Sequence, residues 1–146
     1  MFNRSLWLLI ALVLLAGLAG LNILAFRYFW YWRWWWFDLV MHSTGGLVIG
    51  LLVNALTWRD NPPARPWYPI FLAGISALII GGGWELFEFS LDRTARVAVM
   101  IKTIATLQLG WYDTLTDLLA GVSGALLAGL VVNRQIKNDN YVSTQS

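Results

Sequence analysis

The sequence predicts an all-α integral membrane bundle of four transmembrane helices, and three observations carry the prediction. First, 58% of the 146 residues are hydrophobic and only 12% are charged, about half the charged share of a soluble domain, roughly 25%. Second, the mean hydropathy is +0.60, more apolar surface than a water-soluble fold of this size can hide. Third, four separate runs approach the roughly 20 apolar residues that a helix needs to cross a bilayer. The length suits one small bundle and leaves no room for a second domain.

The first run spans about residues 5–26 and is broken only by Asn22. A cleaved signal peptide is the alternative, because Arg4 precedes an apolar stretch that passes the small residues of 16–20. The run continues through Ile23, Leu24, Ala25 and Phe26, longer than a signal core of roughly 7–15 residues, and suits a retained helix. The segment from Arg27 through Phe37 holds nine aromatic residues. Trp and Tyr favour the membrane–water interface, so this linker is expected at headgroup level.

The second, third and fourth runs span about 37–57, 68–90 and 111–132. Pro62, Pro63 and Pro66 separate the second from the third, since proline cannot continue a helix and punctuates the chain as a tight connection. The connection from Leu91 to Gly110 mixes Arg93, Arg96 and Lys102 with apolar residues. It is long enough for an interfacial helix or for a plain helical linker. Residues 1–133 thus form the membrane domain, and 134–146 are expected to be a polar, mobile tail.

With four spans, Arg4, Arg59, Arg65, Arg134 and Lys137 share one side, and Arg27, Arg33, Arg93, Arg96 and Lys102 share the other. The positive-inside count ties at five each, and the expectation leans toward cytoplasmic termini. The ten basic residues form no patch, so nucleic acid is not an expected partner despite the net charge of +2. Membrane lipids are. The absence of cysteine excludes disulfides and thiolate metal sites. No HExxH, GxSxG, P-loop or GxGxxG motif is present, and Gly81, Gly82 and Gly83 lie inside a span with no lysine following.

The acidic residues are where chemistry concentrates. Asp60 and Asp139 stand apart, but Asp38, Glu85, Glu88, Asp92, Asp113 and Asp117 all fall at or near one membrane face, joined by His42, the only histidine. Asp38 and His42 are four apart, Glu85 and Glu88 three, Asp113 and Asp117 four, so each pair occupies one face of its helix. At about 1.5 Å of rise per residue, Asp38, Glu88 and Asp113 form an outer layer roughly 1–3 Å in, and His42, Glu85 and Asp117 an inner layer roughly 7–9 Å in.

Carboxylates in a membrane helix face a partner, a cavity or an ion, and crowded carboxylates repel unless some bind protons or a cation. Carboxylates and histidine presented by bundle helices are a known way to hold metal. An oxygen-rich set with one imidazole suits Mg, Mn, Fe or Zn. His42, Glu85 and Asp117 are the expected metal ligands. Asp38 would orient His42 or complete the shell around the ion, and Glu88 or Asp113 would activate water or hold a second ion.

The corresponding function is a metal-dependent hydrolase or transferase acting on a lipid or lipid-linked headgroup. A proton or cation transport component is one rival. A structural or accessory membrane protein is another, with the acids paired to the basic residues of the same side; a histidine taken alone is more often packed and hydrogen-bonded than a ligand. The glycines of the second, third and fourth runs, including the Gly121, Ala125, Gly129 ridge, are read as helix packing rather than chemistry.

The strings FDLVMHSTGG around Asp38 and His42, WELFEF around Glu85 and Glu88, and GWYDTLTDLLAGVSGALLAG around Asp113 and Asp117 resemble the YjdF-like family of small bacterial inner-membrane proteins. The likeness covers about residues 37–129. It implies a multi-pass protein of the bacterial inner membrane carrying this polar constellation, and it names no reaction. The third block is also similar to VanZ-like proteins. There the chain departs in having Asp117 where asparagine is usual, and in its paired Glu85 and Glu88.

Overall fold

The computed structural model describes residues 4–57, 65–97 and 110–143. Its elements are α1 (Arg4–Arg27), α2 (Trp30–Arg33), α3 (Phe37–Thr57), α4 (Tyr68–Val97) and α5 (Trp111–Ser143). All are helices. Four of them are long and apolar enough to cross a membrane: α1, α3, α4 over Tyr68–Leu91, and α5 over Trp111–Lys137. Their outward faces are apolar, with Leu9, Leu12, Val13 and Ile79 all more than half exposed. Patches of this kind are untenable in water and natural against lipid.

Helix α3 is central and packs against α1, α4 and α5, while α5 also packs against α4. Neighbouring helices in the chain run antiparallel, so the end of α1, the start of α3, residues 85–91 of α4 and the start of α5 meet at one end of the bundle. At the opposite end, buried Ala11, Leu51, Ala128, Val132 and Ile136 form an apolar core among α1, α3 and α5. There the Arg4 side chain donates to the Ala55 carbonyl at 3.0 Å.

The α3–α5 contact is built on glycine. A Cβ on Gly46 would overlap the Gly121 carbonyl, one on Gly124 the Ser43 carbonyl, and one on Gly50 would come within 2.7 Å of the Ala128 Cβ. A Cβ on Gly129 would come within 2.6 Å of Ile70 in α4. The packing role expected of the glycine ridge is what these contacts display. Gly45, Gly82 and Gly83 differ, for a Cβ there would meet nothing within 4 Å.

Two helices outrun the expected spans. Helix α4 continues to Val97. Helix α5 continues to Ser143, so much of the tail expected to be mobile from residue 134 onward is helical. Neither glycine nor proline interrupts 130–143, Ile136 is buried in the far core, and Trp7 Nε1 donates to Gln135 Oε1 at 2.7 Å. Trp7→Phe keeps the ring and removes the donor, and is expected to lower stability by about 1 kcal/mol, as a net hydrogen bond does. Thermal unfolding in detergent beside the wild type reads this. The proline-rich connection, residues 58–64, and most of the basic connection, 98–109, lie outside the described residues.

The aromatic linker folds as a tight turn and one short helix. Phe29 takes a left-handed φ of 59° as α1 ends, with Tyr28 N–H donating to the Leu24 carbonyl at 2.9 Å. Rings then lock the segment onto α3: Tyr31 and Phe37 centroids are 5.1 Å apart, Trp30 and Trp34 5.4 Å, Trp30 and Phe37 5.6 Å. Edge and tilted packings of this kind each add about 0.5–1.5 kcal/mol beyond area burial. Phe37 is buried beneath them, which fixes the first turn of α3, where the polar site begins.

Candidate functional site

Three helical pairs converge at the linker end of the bundle. Helix α3 brings Asp38 and His42, α4 brings Glu85 and Glu88, and α5 brings Asp113 and Asp117. His42 Nε2 stands 3.5 Å from Asp38 Oδ1 and 3.9 Å from Glu85 Oε1. Asp38, His42 and Asp117 offer ligand atoms all within 4.8 Å of one another, and so do His42, Glu85 and Glu88. The two triads meet at His42. Asp113 completes the group electrostatically, its charge acting on Asp38, Glu88 and Asp117.

Burial follows the two expected layers. Glu85 and Asp117 are 4% and 3% exposed, and the His42 side chain is 12% exposed against 26% for Asp38. Glu88 and Asp113 are half-buried. The ligand geometry, however, cuts across the layers. The expected set of His42, Glu85 and Asp117 takes members from both triads, while Asp38 and Glu88, expected to act around the metal, each share a triad with His42.

The distances discriminate between kinds of contact. A separation of 3.5–3.9 Å is too long for a strong N–H···O hydrogen bond. Two ligands each about 2.1 Å from a shared ion stand about 3.0 Å apart in an octahedron and about 3.4 Å in a tetrahedron. Both separations are longer than these ligand spacings as well, and they fall in the range of a loose ion pair.

Asp38, His42, Glu88, Asp113 and Asp117 line one end of a cavity of about 720 Å³, with Glu85 buried behind them. Sequence reasoning missed three of its polar neighbours. Asn22 of α1, noted only as a break in an apolar run, lines this cavity, as do Tyr31 and Arg33 of the linker. Burial, together with the nearby charges of Asp38 and Glu88, pushes the Tyr31 hydroxyl above its usual range, so it stays a phenol, able to donate, at any physiological pH. Trp84 Nε1 donates to Glu88 Oε1 at 2.8 Å, which fixes that carboxylate along its helix. The only sequence signal for Asn22 was its polarity within a span; Tyr31 and Arg33 were hidden among similar residues. The side chains of Asp92, Arg93 and Arg96, and all of Lys102, lie outside the described residues.

Residues 1–138 match a family described as predicted membrane protein (DUF2238). The chain belongs to this family. YjdF is a member of DUF2238 as well, so the likeness carried by the three acidic blocks reflects shared family. The match also takes in α1 and the aromatic linker, which lie outside those blocks. No curated protein and no solved structure matches the chain. The DUF2238 chain therefore has a family and a site geometry, and its chemistry is argued from the site.

Proposed function

We propose that this DUF2238 protein is a metal-dependent hydrolase or transferase of the bacterial inner membrane, acting on a lipid or lipid-linked headgroup at the interface. One observation carries the reading: a single imidazole nitrogen stands 3.5 Å and 3.9 Å from carboxylate oxygens of two different helices, at the end of a cavity that Glu88, Asp113 and Asp117 also line. Five carboxylates this close repel strongly at low dielectric, and a divalent cation among Mg, Mn, Fe and Zn relieves that repulsion. When bound, such an ion polarises a phosphoryl or carbonyl oxygen and makes water a competent nucleophile.

In this reading His42, Glu85 and Asp117 hold the ion, and Asp38 orients His42 or completes the ligand set. Glu88, held by Trp84, or Asp113 takes the proton of the attacking water. Tyr31 and Arg33 donate to the headgroup. With the termini in the cytoplasm, the site opens on the opposite side of the membrane. The similarity of the third block to VanZ-like proteins lends nothing to the reaction.

Transport of protons or cations is the weaker reading. No ionisable residue lies between His42 and Asn54 in α3, and the NH2 group of the buried Asn54 donates to the Gly50 and Pro69 carbonyls at 2.8 and 3.2 Å. A proton or ion path needs polar groups across the whole span.

Metal analysis of the detergent-purified protein tests the proposal. The expected result is about one divalent ion per chain, with added ion at 100 times its Kd raising stability by about 2.7 kcal/mol. Protein that stays metal-free and gains no stability from Mg, Mn, Fe or Zn rules the reading out. Ion or proton flux in proteoliposomes would then favour the transport reading.

A further inference from the structure

The cavity does not stop at the polar cluster. It runs on between α1 and α4, with Leu15 and Leu18 on one wall, Ala77 and Ile80 on the other, and Val48 and Leu52 along the floor. Among the described residues α1 and α4 make no close helix–helix contact, so the space between them opens sideways toward lipid. Gly45 forms part of the floor, and a Cβ there would meet nothing within 4 Å.

We infer that this lateral groove is the binding site for one hydrocarbon chain of a bilayer lipid whose polar headgroup lies in the acidic cluster. The inference deepens the proposed enzyme reading and rests on it for the identity of the polar end. From Asp38 to Leu52 the groove follows α3 for about 20 Å at about 1.5 Å per residue, somewhat more than half of the roughly 30 Å hydrocarbon core. That is the reach of a chain belonging to one leaflet, starting at the headgroup level set by the aromatic linker. The volume, about 720 Å³, falls within the roughly 300–1,000 Å³ of small-molecule sites, which are likewise mostly apolar with a few convergent polar groups.

The polar end is built to match. Asn22 lies five residues before the end of α1, roughly 7–8 Å along the axis at about 1.5 Å per residue, the depth expected of His42, Glu85 and Asp117. It faces the same cavity as Arg33, and the two offer an amide and a guanidinium to the oxygens of a phosphate or ester headgroup. An outward lipid face needs neither group. A groove serving only as packing space between helices would not hold an asparagine at this depth beside an arginine at its mouth.

A phospholipid bearing a diazirine in its acyl chain provides the test. The full-length protein is placed in phosphatidylglycerol–phosphatidylethanolamine nanodiscs with a trace of this probe, irradiated, and its adducts mapped by mass spectrometry. Adducts at Leu18, Leu52 and Ile80 are expected to exceed those at outward-facing Leu12 and Ile79. Gly45→Leu fills open space and is expected to reduce the groove adducts about tenfold, the loss of a few methylene contacts, without changing the outward adducts. Ala19→Phe, from the α1 wall, serves the same end if Gly45→Leu fails to fold.

Equal labelling of groove and outward residues overturns the inference, as does groove labelling that survives both plugs in folded protein. Crosslinks joining two copies of the chain through the groove, in place of lipid adducts, overturn it too. Metal content measured on the same samples separates the two readings. Plug-sensitive groove adducts in a protein that binds no divalent ion uphold the groove and remove only the metal.

Discussion

His42→Ala is expected to weaken divalent-ion binding by about 100-fold or more, beyond the roughly 10–100-fold that loss of an outer partner costs. The reason is positional. His42 is the one residue common to both candidate triads, Asp38–His42–Asp117 and His42–Glu85–Glu88, and its Nε2 lies nearest to carboxylates of both α3 and α4. Asp117→Asn removes charge from the first triad alone and Glu88→Gln from the second alone, so each is expected to cost less than His42→Ala. Equilibrium dialysis with Mn, followed by elemental analysis, ranks the three variants. Equal, small effects in all three would mean that no ion sits at His42.

The same ranking separates a metal site from a salt-bridge network. In a network, neutralising a single carboxylate strands its basic partner and lowers thermal stability by the same amount whether or not ion is added. In a metal site, the wild type gains stability on adding ion and His42→Ala gains almost none, because binding to the folded state alone sets the increment. Melting curves with and without Mn therefore distinguish the two without knowledge of the substrate.

Much of this site was legible in the chain because helical periodicity converts spacing into direction. Separations of three and four residues put Asp38 with His42, Glu85 with Glu88 and Asp113 with Asp117 on common faces, and alternating span direction brought the pairs to one end. Periodicity does not specify which residue of a pair comes closest to another helix. That depends on rotation about each helix axis, and the rotation of α4 brings Glu88 as well as Glu85 within ligand reach of His42. Nor did the chain reveal that α1 and α4 stand apart. The separation follows from both helices leaning on α3, and it is what exposes Asn22, Gly45 and Arg33 to one cavity. The reach of α5 past residue 132 was hidden for a similar reason: Arg134 and Gln135 read as polar tail, yet Ile136 and the Trp7–Gln135 bond hold that turn on α1 and α3.

Gly46→Val is expected to destabilise the bundle by about 3 kcal/mol or more, at or above the upper end for overpacked cores. A Cβ at position 46 overlaps backbone, the carbonyl of Gly121, rather than the flexible end of a side chain, so the helices themselves must separate. Gly124→Val meets the Ser43 carbonyl in the same way. The adjacent Gly45 is the control: its Cβ meets open space, and Gly45→Ala is expected to be neutral or to stabilise by up to about 1 kcal/mol through helix propensity. Since His42 lies one turn before Gly46, and Asp117 one turn before Gly121, parting α3 from α5 also moves the imidazole away from Asp117. Loss of stability and loss of ion binding should therefore appear together in Gly46→Val and in neither property for Gly45→Ala. A Gly46→Val protein with an unchanged melting temperature would show that α3 and α5 do not meet through their glycines, and the close approach that assembles the site would have to be abandoned with it.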